Sequence, residues 1–269
     1  MKLNSTSASL EEITTDVIDV TNAAHTAAET SVTNEVGKFY TITPAIIDFI
    51  VCVSCKILFK IFASHKVYGL ENLEKVPKGV IFAANHSSEL DPVLVAVSLP
   101  LFSRFLPMFY AALRRYAHLG FIKKILYGGL FFKMLGAYPV YTGQKDYERS
   151  LVNITTILSD NNSVCIFPEG GISHDGTIGR ARGGIGYLVY QTQKPVIPVT
   201  IIGSRKSSLW DFLRFKKKYT IIYGKPLYYQ DLSPDAAGVS PTSEHNSFKI
   251  IAEKIMDTVR SQYQFHQVS

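Results

Sequence analysis

The chain has 269 residues, 46% hydrophobic and 19% charged, with a formal net charge of +6 from 28 Lys and Arg against 22 Asp and Glu. That length suits one large α/β domain with a sizeable core, and the composition excludes a bundle of membrane spans while fitting a protein that rests on a bilayer. The positive surplus attracts anionic headgroups as readily as nucleic acid, so charge alone does not choose a partner.

In chain order, residues 1 to 40 read as a flexible leader rich in Ser, Thr, Ala, Glu and Asn, without the basic start and apolar run of a secretory signal. From 41 to 66 the pattern predicts an amphipathic helix, with Asp48, Cys52, Lys56 and Lys60 on one stripe. Its apolar side chains would gain roughly 6 kcal/mol on insertion, against up to about 9 for three midspan charges. A helix lying in the headgroup layer with its lysines toward phosphates is therefore favoured over a spanning one. The expected location is membrane-associated on the cytoplasmic face, monotopic or with at most one marginal transmembrane helix. Cys52 and Cys55 form a C-x-x-C pair with no second Cys or His pair near it, and the third cysteine is Cys165. An odd count in an apolar setting implies neither a disulfide framework nor a metal site.

An α/β domain is expected from 67 to 269. The turn Pro77-Lys78-Gly79 opens the short apolar run Val80 to Ala84, which reads as a buried strand. Similar runs recur at Met108 to Ala112, Ala137 to Val140, Ser163 to Phe167, Val196 to Ile202 and Tyr219 to Tyr223. Helical spacing lies between and after them, at Tyr147 to Leu158, Gly184 to Gln191 and Ser247 to Tyr263. This alternation predicts an α/β fold with a mixed, largely parallel sheet covered by helices.

Two constellations carry chemistry. His86 directly follows a strand and Asp91 comes five residues later; with Ser87 or Ser88 capping a helix, the carboxylate can accept the ring N–H and leave the other nitrogen as a base. The apolar run Pro92 to Phe109 then suits either an acyl groove or a core helix. The second constellation is Phe167-Pro168-Glu169-Gly170-Gly171-Ile172-Ser173, a strand ending in a Gly-rich turn where main-chain N–H groups can meet a ligand. Arg180 and Arg182, set among Gly179, Gly183 and Gly184, form a basic loop suited to an anion. Glu169, Gly170, Gly171, Arg180 and Arg182 are thus the candidate substrate-binding residues. The Gly179 to Gly184 spacing is that of a P-loop, but Ile185 occupies its lysine position, and no G-x-S-x-G elbow occurs. Nucleic acid is not expected as a partner, since only net charge and the Lys216-Lys217-Lys218 run speak for it.

Asn85-His86 with Asp91, Gly136-Ala137-Tyr138-Pro139-Val140, Phe167-Pro168-Glu169-Gly170 and Val196-Ile197-Pro198-Val199 resemble the four ordered blocks of the lysophosphatidic acid acyltransferase family. The resemblance spans about Tyr68 to Pro226. It implies an O-acyltransferase that moves a fatty acyl group from an acyl-CoA or acyl carrier protein thioester to the hydroxyl of a lysoglycerolipid, above all 1-acylglycerol-3-phosphate. It implies His86 as general base, Asp91 as its support, no acyl-enzyme, and no cofactor or metal. In the family an Arg commonly follows the second block and the third reads Glu-Gly-Thr-Arg, whereas here Tyr141-Thr142-Gly143 and Gly171-Ile172 stand. Losing a bidentate guanidinium from a phosphate site matters unless Arg180, Arg182 or Lys145 substitutes. Another lysophospholipid acceptor, a lipase or thioesterase, and a non-catalytic membrane adaptor are the alternatives.

Overall fold

The short apolar runs form the strands of one sheet. A computed structural model describes residues 42–62, 64–113, 136–140, 146–173, 175–205, 218–233 and 244–268. Seven strands are ordered β1-β7-β6-β2-β5-β3-β4, with β1 Ser64–Tyr68, β2 Ile81–Ala84, β3 Met108–Leu113, β4 Ala137–Val140, β5 Ser163–Ile166, β6 Val196–Ile202 and β7 Lys218–Tyr223. All neighbours pair in parallel except β6 and β7. Ala83 faces Ile166 on one side and Pro198 on the other, so the carboxyl ends of β5, β2 and β6 lie side by side.

The helices are α1 Ile42–Phe62, α2 Asp91–Ser98, α3 Tyr147–Ser159, α4 Gly184–Thr192, the short α5 Tyr229–Leu232 and α6 Glu244–Val268. Phe82 and Ala84 join a buried cluster with Phe59 of α1 and Leu94, Val95 and Val97 of α2. Ile81 and Ala83 are equally buried but lie outside that cluster, as alternation along a strand covered on both faces requires. The Phe82 ring meets Phe105 at 5.5 Å and Tyr223 at 6.0 Å between centroids, and full burial of such a ring contributes about 1.5–3 kcal/mol. At Gly186 a Cβ would stand 2.0 Å from the carbonyl oxygen of Phe248, so a glycine there is what lets α4 and α6 cross with their backbones in contact.

Three expectations change. Helix α1 stops at Phe62 and Ser64-His65-Lys66-Val67-Tyr68 becomes a strand against Lys218–Tyr223, so the boundary drawn at 66/67 runs through the sheet. Pairing overrides pattern here, because an edge strand needs little apolar sequence. Lys56 of α1 also turns inward: its Nζ donates to the carbonyl of Leu99, just past the end of α2. Ile46 and Ile50 instead are 58% and 57% exposed, and Phe49 approaches Phe102, itself 86% exposed, at 6.0 Å. Finally, the run from Pro92 to Phe109 is α2, a turn and the start of β3, and Leu94, Val95, Leu99, Met108 and Phe109 are buried in the core rather than lining a groove. Among the described residues no helix is long and apolar enough to cross a membrane. The leader 1–40, residues 141–145 and 216–217 lie outside the described residues.

Candidate active site

The carboxyl ends of three adjacent parallel strands, β6, β2 and β5, converge on His86, the position at which open α/β sheets present ligand-binding groups. Each neighbour holds the His86 loop. Toward β6, Asn85 Nδ2 donates to the Ile201 carbonyl at 2.9 Å and Asn85 Oδ1 accepts the Ile201 N–H at 2.8 Å. The Ser87 and Ser204 hydroxyls lie 2.8 Å apart. Toward β5, the His86 N–H donates to Glu169 Oε1 at 2.8 Å, and the His86 carbonyl accepts from the Ser173 N–H at 2.8 Å. The imidazole stacks on Phe167 with centroids 4.1 Å apart and 23° between the planes.

Asp91 is the first residue of α2 and is fully buried. Its Oδ2 accepts the Ser87 N–H at 2.6 Å and the Ser88 N–H at 2.8 Å, and lies 2.9 Å from His86 Nδ1. An oxygen already receiving two backbone N–H groups acts as acceptor toward the ring, so Nδ1 carries the proton and Nε2 keeps its lone pair. The helix therefore begins at Asp91, and neither Ser87 nor Ser88 caps it with a side chain; the carboxylate itself ties the preceding turn. The His86 side chain is 15% exposed, so the ring is held by its partners yet still accessible. Cys165, on β5, is no nucleophile: burial, and then the charge of Asp91, pushes its thiol up.

Glu169 was expected to touch substrate, but both of its carboxylate oxygens are engaged within the protein, Oε1 by the His86 N–H and Oε2 by the Gly179 N–H at 2.8 Å. Glu169 thus ties the His86 loop to the Gly179 loop. Gly170 takes φ +71°, and a Cβ there would collide with the Arg182 side chain at 2.5 Å, so the glycine admits that arginine over the turn. Arg182 Nε donates to the Glu169 carbonyl at 3.2 Å, and its own N–H reaches the Pro168 carbonyl at 2.8 Å. Gly171 has open space where a Cβ would stand. Arg180 is not with Arg182; it lines a separate cavity against α6. Gly136 to Val140 runs along the sheet edge, two strands beyond β5, and is not brought to His86.

Ser204 and the α6 residues Glu253 and Arg260 that hold the basic loop carried no signal in the sequence. Ser87 and Phe167 were legible only as a helix cap and a strand end, and Asn85 only by its place immediately before the histidine.

A family model described as Acyltransferase matches residues 64–202, which is β1 through β6 and just over half of the chain. A protein described as a probable 1-acyl-sn-glycerol-3-phosphate acyltransferase from Mycoplasma pneumoniae is 30% identical over 139 residues, covering 49% of this chain and 48% of that protein. The chloroplastic 1-acyl-sn-glycerol-3-phosphate acyltransferase BAT2 of Brassica napus is 26% identical over 156 residues, covering 55% and 42%. The chain thus spans about half the length of the curated relatives it matches. Among solved structures, the 1-acyl-sn-glycerophosphate (LPA) acyltransferase PlsC of Thermotoga maritima superposes with a TM-score of 0.50 at 19% identity, over 78% of this chain and 79% of that one, a likeness of fold.

Proposed function

The chain belongs to the acyltransferase family, and from that premise we propose that it transfers a fatty acyl group from a thioester to the free hydroxyl of a lysoglycerolipid, with 1-acylglycerol-3-phosphate as the acceptor. The observation that carries the reading is the His86 Nδ1 to Asp91 Oδ2 contact of 2.9 Å, made by a fully buried carboxylate fixed by two backbone N–H groups. With Nδ1 so engaged, Nε2 takes the proton of the acceptor hydroxyl as its oxygen attacks the thioester carbonyl carbon. The tetrahedral intermediate collapses with cleavage of the C–S bond, and the thiolate leaves with the proton returned from the imidazolium. Asp91 stabilises the imidazolium between these two steps. A thiolate is a good leaving group, so positioning two substrates and stabilising the oxyanion is the larger task.

The acyl-CoA or acyl carrier protein is a substrate, and the scheme calls for no metal or organic cofactor. Arg182, held on the turn beside Glu169, is the cation best placed for the acceptor's phosphate now that Ile172 occupies the family's arginine position. That same substitution favours, as a second reading, a lysophospholipid acceptor with another headgroup. The exposed apolar side chains of α1, with Phe102, would rest on the membrane surface.

A thiol-release assay with acyl-CoA and acyl carrier protein against a panel of lysolipids tests the scheme. His86→Ala should lower the rate about 10²- to 10⁴-fold while the chain still melts cooperatively, a few degrees lower for the lost ring contacts. A variant as fast as the wild type would remove His86 from the chemistry, and thiol release that ignores added lysolipid would indicate hydrolysis.

A further inference from the structure

One cationic cavity lies outside the His86 site. It is an open cleft of about 680 Å³ between the loop Ile178–Ala181 and the helix α6, a size within the usual range for small-ligand sites. Arg180 contributes from the loop, Lys249 and Arg260 from the helix, and Glu253 is the one carboxylate among the lining residues. That carboxylate is engaged: Oε1 accepts the Ala181 N–H at 2.8 Å and Oε2 accepts from Arg260 at 2.8 Å. Arg260 also donates to Asp257 and to the Gly179 carbonyl, so its side chain builds the wall. Burial disfavours its charge, but Glu253 and Asp257 outweigh this and raise its pKa. Arg180 and Lys249 are exposed and have no hydrogen-bond or ion-pair partner among the described residues. The cavity therefore presents two unengaged cations on a braced frame, which is the chemistry of a site for a phosphate.

Which phosphate it takes follows from the cation assigned to the acceptor above, since Arg182 is not among the residues that line the cavity. The Gly179 N–H bonds Glu169 Oε2, and Glu169 Oε1 bonds the His86 N–H, so the cavity loop is joined to the His86 loop through one carboxylate. In a 1-acylglycerol-3-phosphate only a few bonds separate the reacting hydroxyl from the phosphate, so that phosphate stays near the hydroxyl. In the donor a whole pantetheine arm separates the thioester from its phosphate, which can therefore bind at a second site. Resting on the acyl-transfer reading above, we propose that the Arg180–Lys249–Arg260 cavity seats the phosphate end of the donor's phosphopantetheine arm. Coenzyme A and acyl carrier protein share that group.

The test uses the full chain and the double variant Arg180→Ala/Lys249→Ala, whose side chains are exposed and hold nothing in place. Calorimetry with coenzyme A and with pantetheine reads the cavity without turnover: coenzyme A should bind the wild type and bind the variant about tenfold more weakly. In steady-state assays the wild type should show a lower KM for acyl-CoA than for acyl-pantetheine, which lacks the phosphate, and the variant should lose most of that ratio. The same rise in KM with acyl carrier protein as donor would identify the carrier protein as a source of the group. Unchanged coenzyme A affinity in the variant overturns the assignment, as does a KM rise confined to the lysolipid. Failure of the wild type to transfer acyl groups from any donor would count against the acyl-transfer reading, while the calorimetry still decides the cavity.

Discussion

Replacing Glu169 by Gln separates a residue that touches substrate from one that holds the base in place. The carboxylate accepts the His86 and Gly179 N–H groups at 2.8 Å each. Gln is nearly isosteric but has one acceptor oxygen; its other terminus is an NH₂ that must face a second backbone N–H. One bond to a charged acceptor is lost, and such bonds contribute about 1.5–3 kcal/mol. If all of that energy serves to fix His86 for reaction, kcat falls about 10- to 150-fold. The variant should melt a few degrees lower, because the same bond joins two loops of the folded state. Because Glu169 is engaged with backbone on both sides, KM for lysolipid and for donor should each stay within about threefold. The assay is steady-state thiol release with each substrate varied in turn, beside a thermal melt. A kcat within twofold of wild type would refute the positioning argument, and an intact kcat with a raised lysolipid KM would restore Glu169 as an acceptor contact.

Asp175 sits in an exposed turn where the Thr177 hydroxyl, the Thr177 N–H and the Ser173 hydroxyl hydrogen-bond its carboxylate and hold its pKa down to about 2, from an ordinary 3.8. A depressed carboxylate stabilises the fold above its unfolded value and loses that contribution as pH falls from about 4 through 2. Thr177→Ala should therefore move the Asp175 titration, followed by NMR, upward toward 3.8; an unmoved midpoint would contradict the assignment. Phe49→Asp and Phe102→Asp test the exposed face of α1. Each should weaken co-sedimentation with anionic vesicles by about 10- to 150-fold, from the roughly 1.5–3 kcal/mol that burying such a ring contributes. Equal binding by both variants would place the membrane contact elsewhere.

What the sequence disclosed follows the physics of each element. Parallel strands buried on both faces must be nearly all apolar, so Val80 to Ala84, Ser163 to Phe167 and Val196 to Ile202 stood out, each matching a strand within a residue or so. β1 did not, because Ser64, His65 and Lys66 lie at a sheet edge and carry no alternation strong enough to compete with the helix before them. Local spacing foretold the His86 and Asp91 contact, since five residues across one turn bring the two together. Ser204 pairs with Ser87 across 117 positions and the Asn85 clamp closes on Ile201 across 116, separations over which no local pattern extends. The inward turn of Lys56 was hidden for a similar reason: its acceptor, the Leu99 carbonyl, exists only once α2 has ended there.

The closing helix shows how a correct reading of packing can leave function behind. Phe248, Ile251, Ile255 and Val259 are buried, as their helical spacing announced. The polar side of α6 turns out to brace the loop that carries the cations. Residues 177–182 form no helix or strand, yet Arg260 holds the Gly179 carbonyl, Glu253 holds the Ala181 N–H, Glu169 holds the Gly179 N–H, and Pro168 accepts from Arg182. Backbone groups that regular structure would have satisfied are satisfied by side chains of α6 and of Glu169, and by the Pro168 carbonyl. The consequence is a separation of charges that sequence proximity concealed: Arg182 leans on the Glu169 turn, while Arg180, two residues earlier, faces the helix. The acyl transfer proposed above joins two phosphate-bearing substrates, and a loop pinned at Gly179 and Ala181 presents a cation on each of two sides, Arg182 on the Glu169 turn and Arg180 against α6.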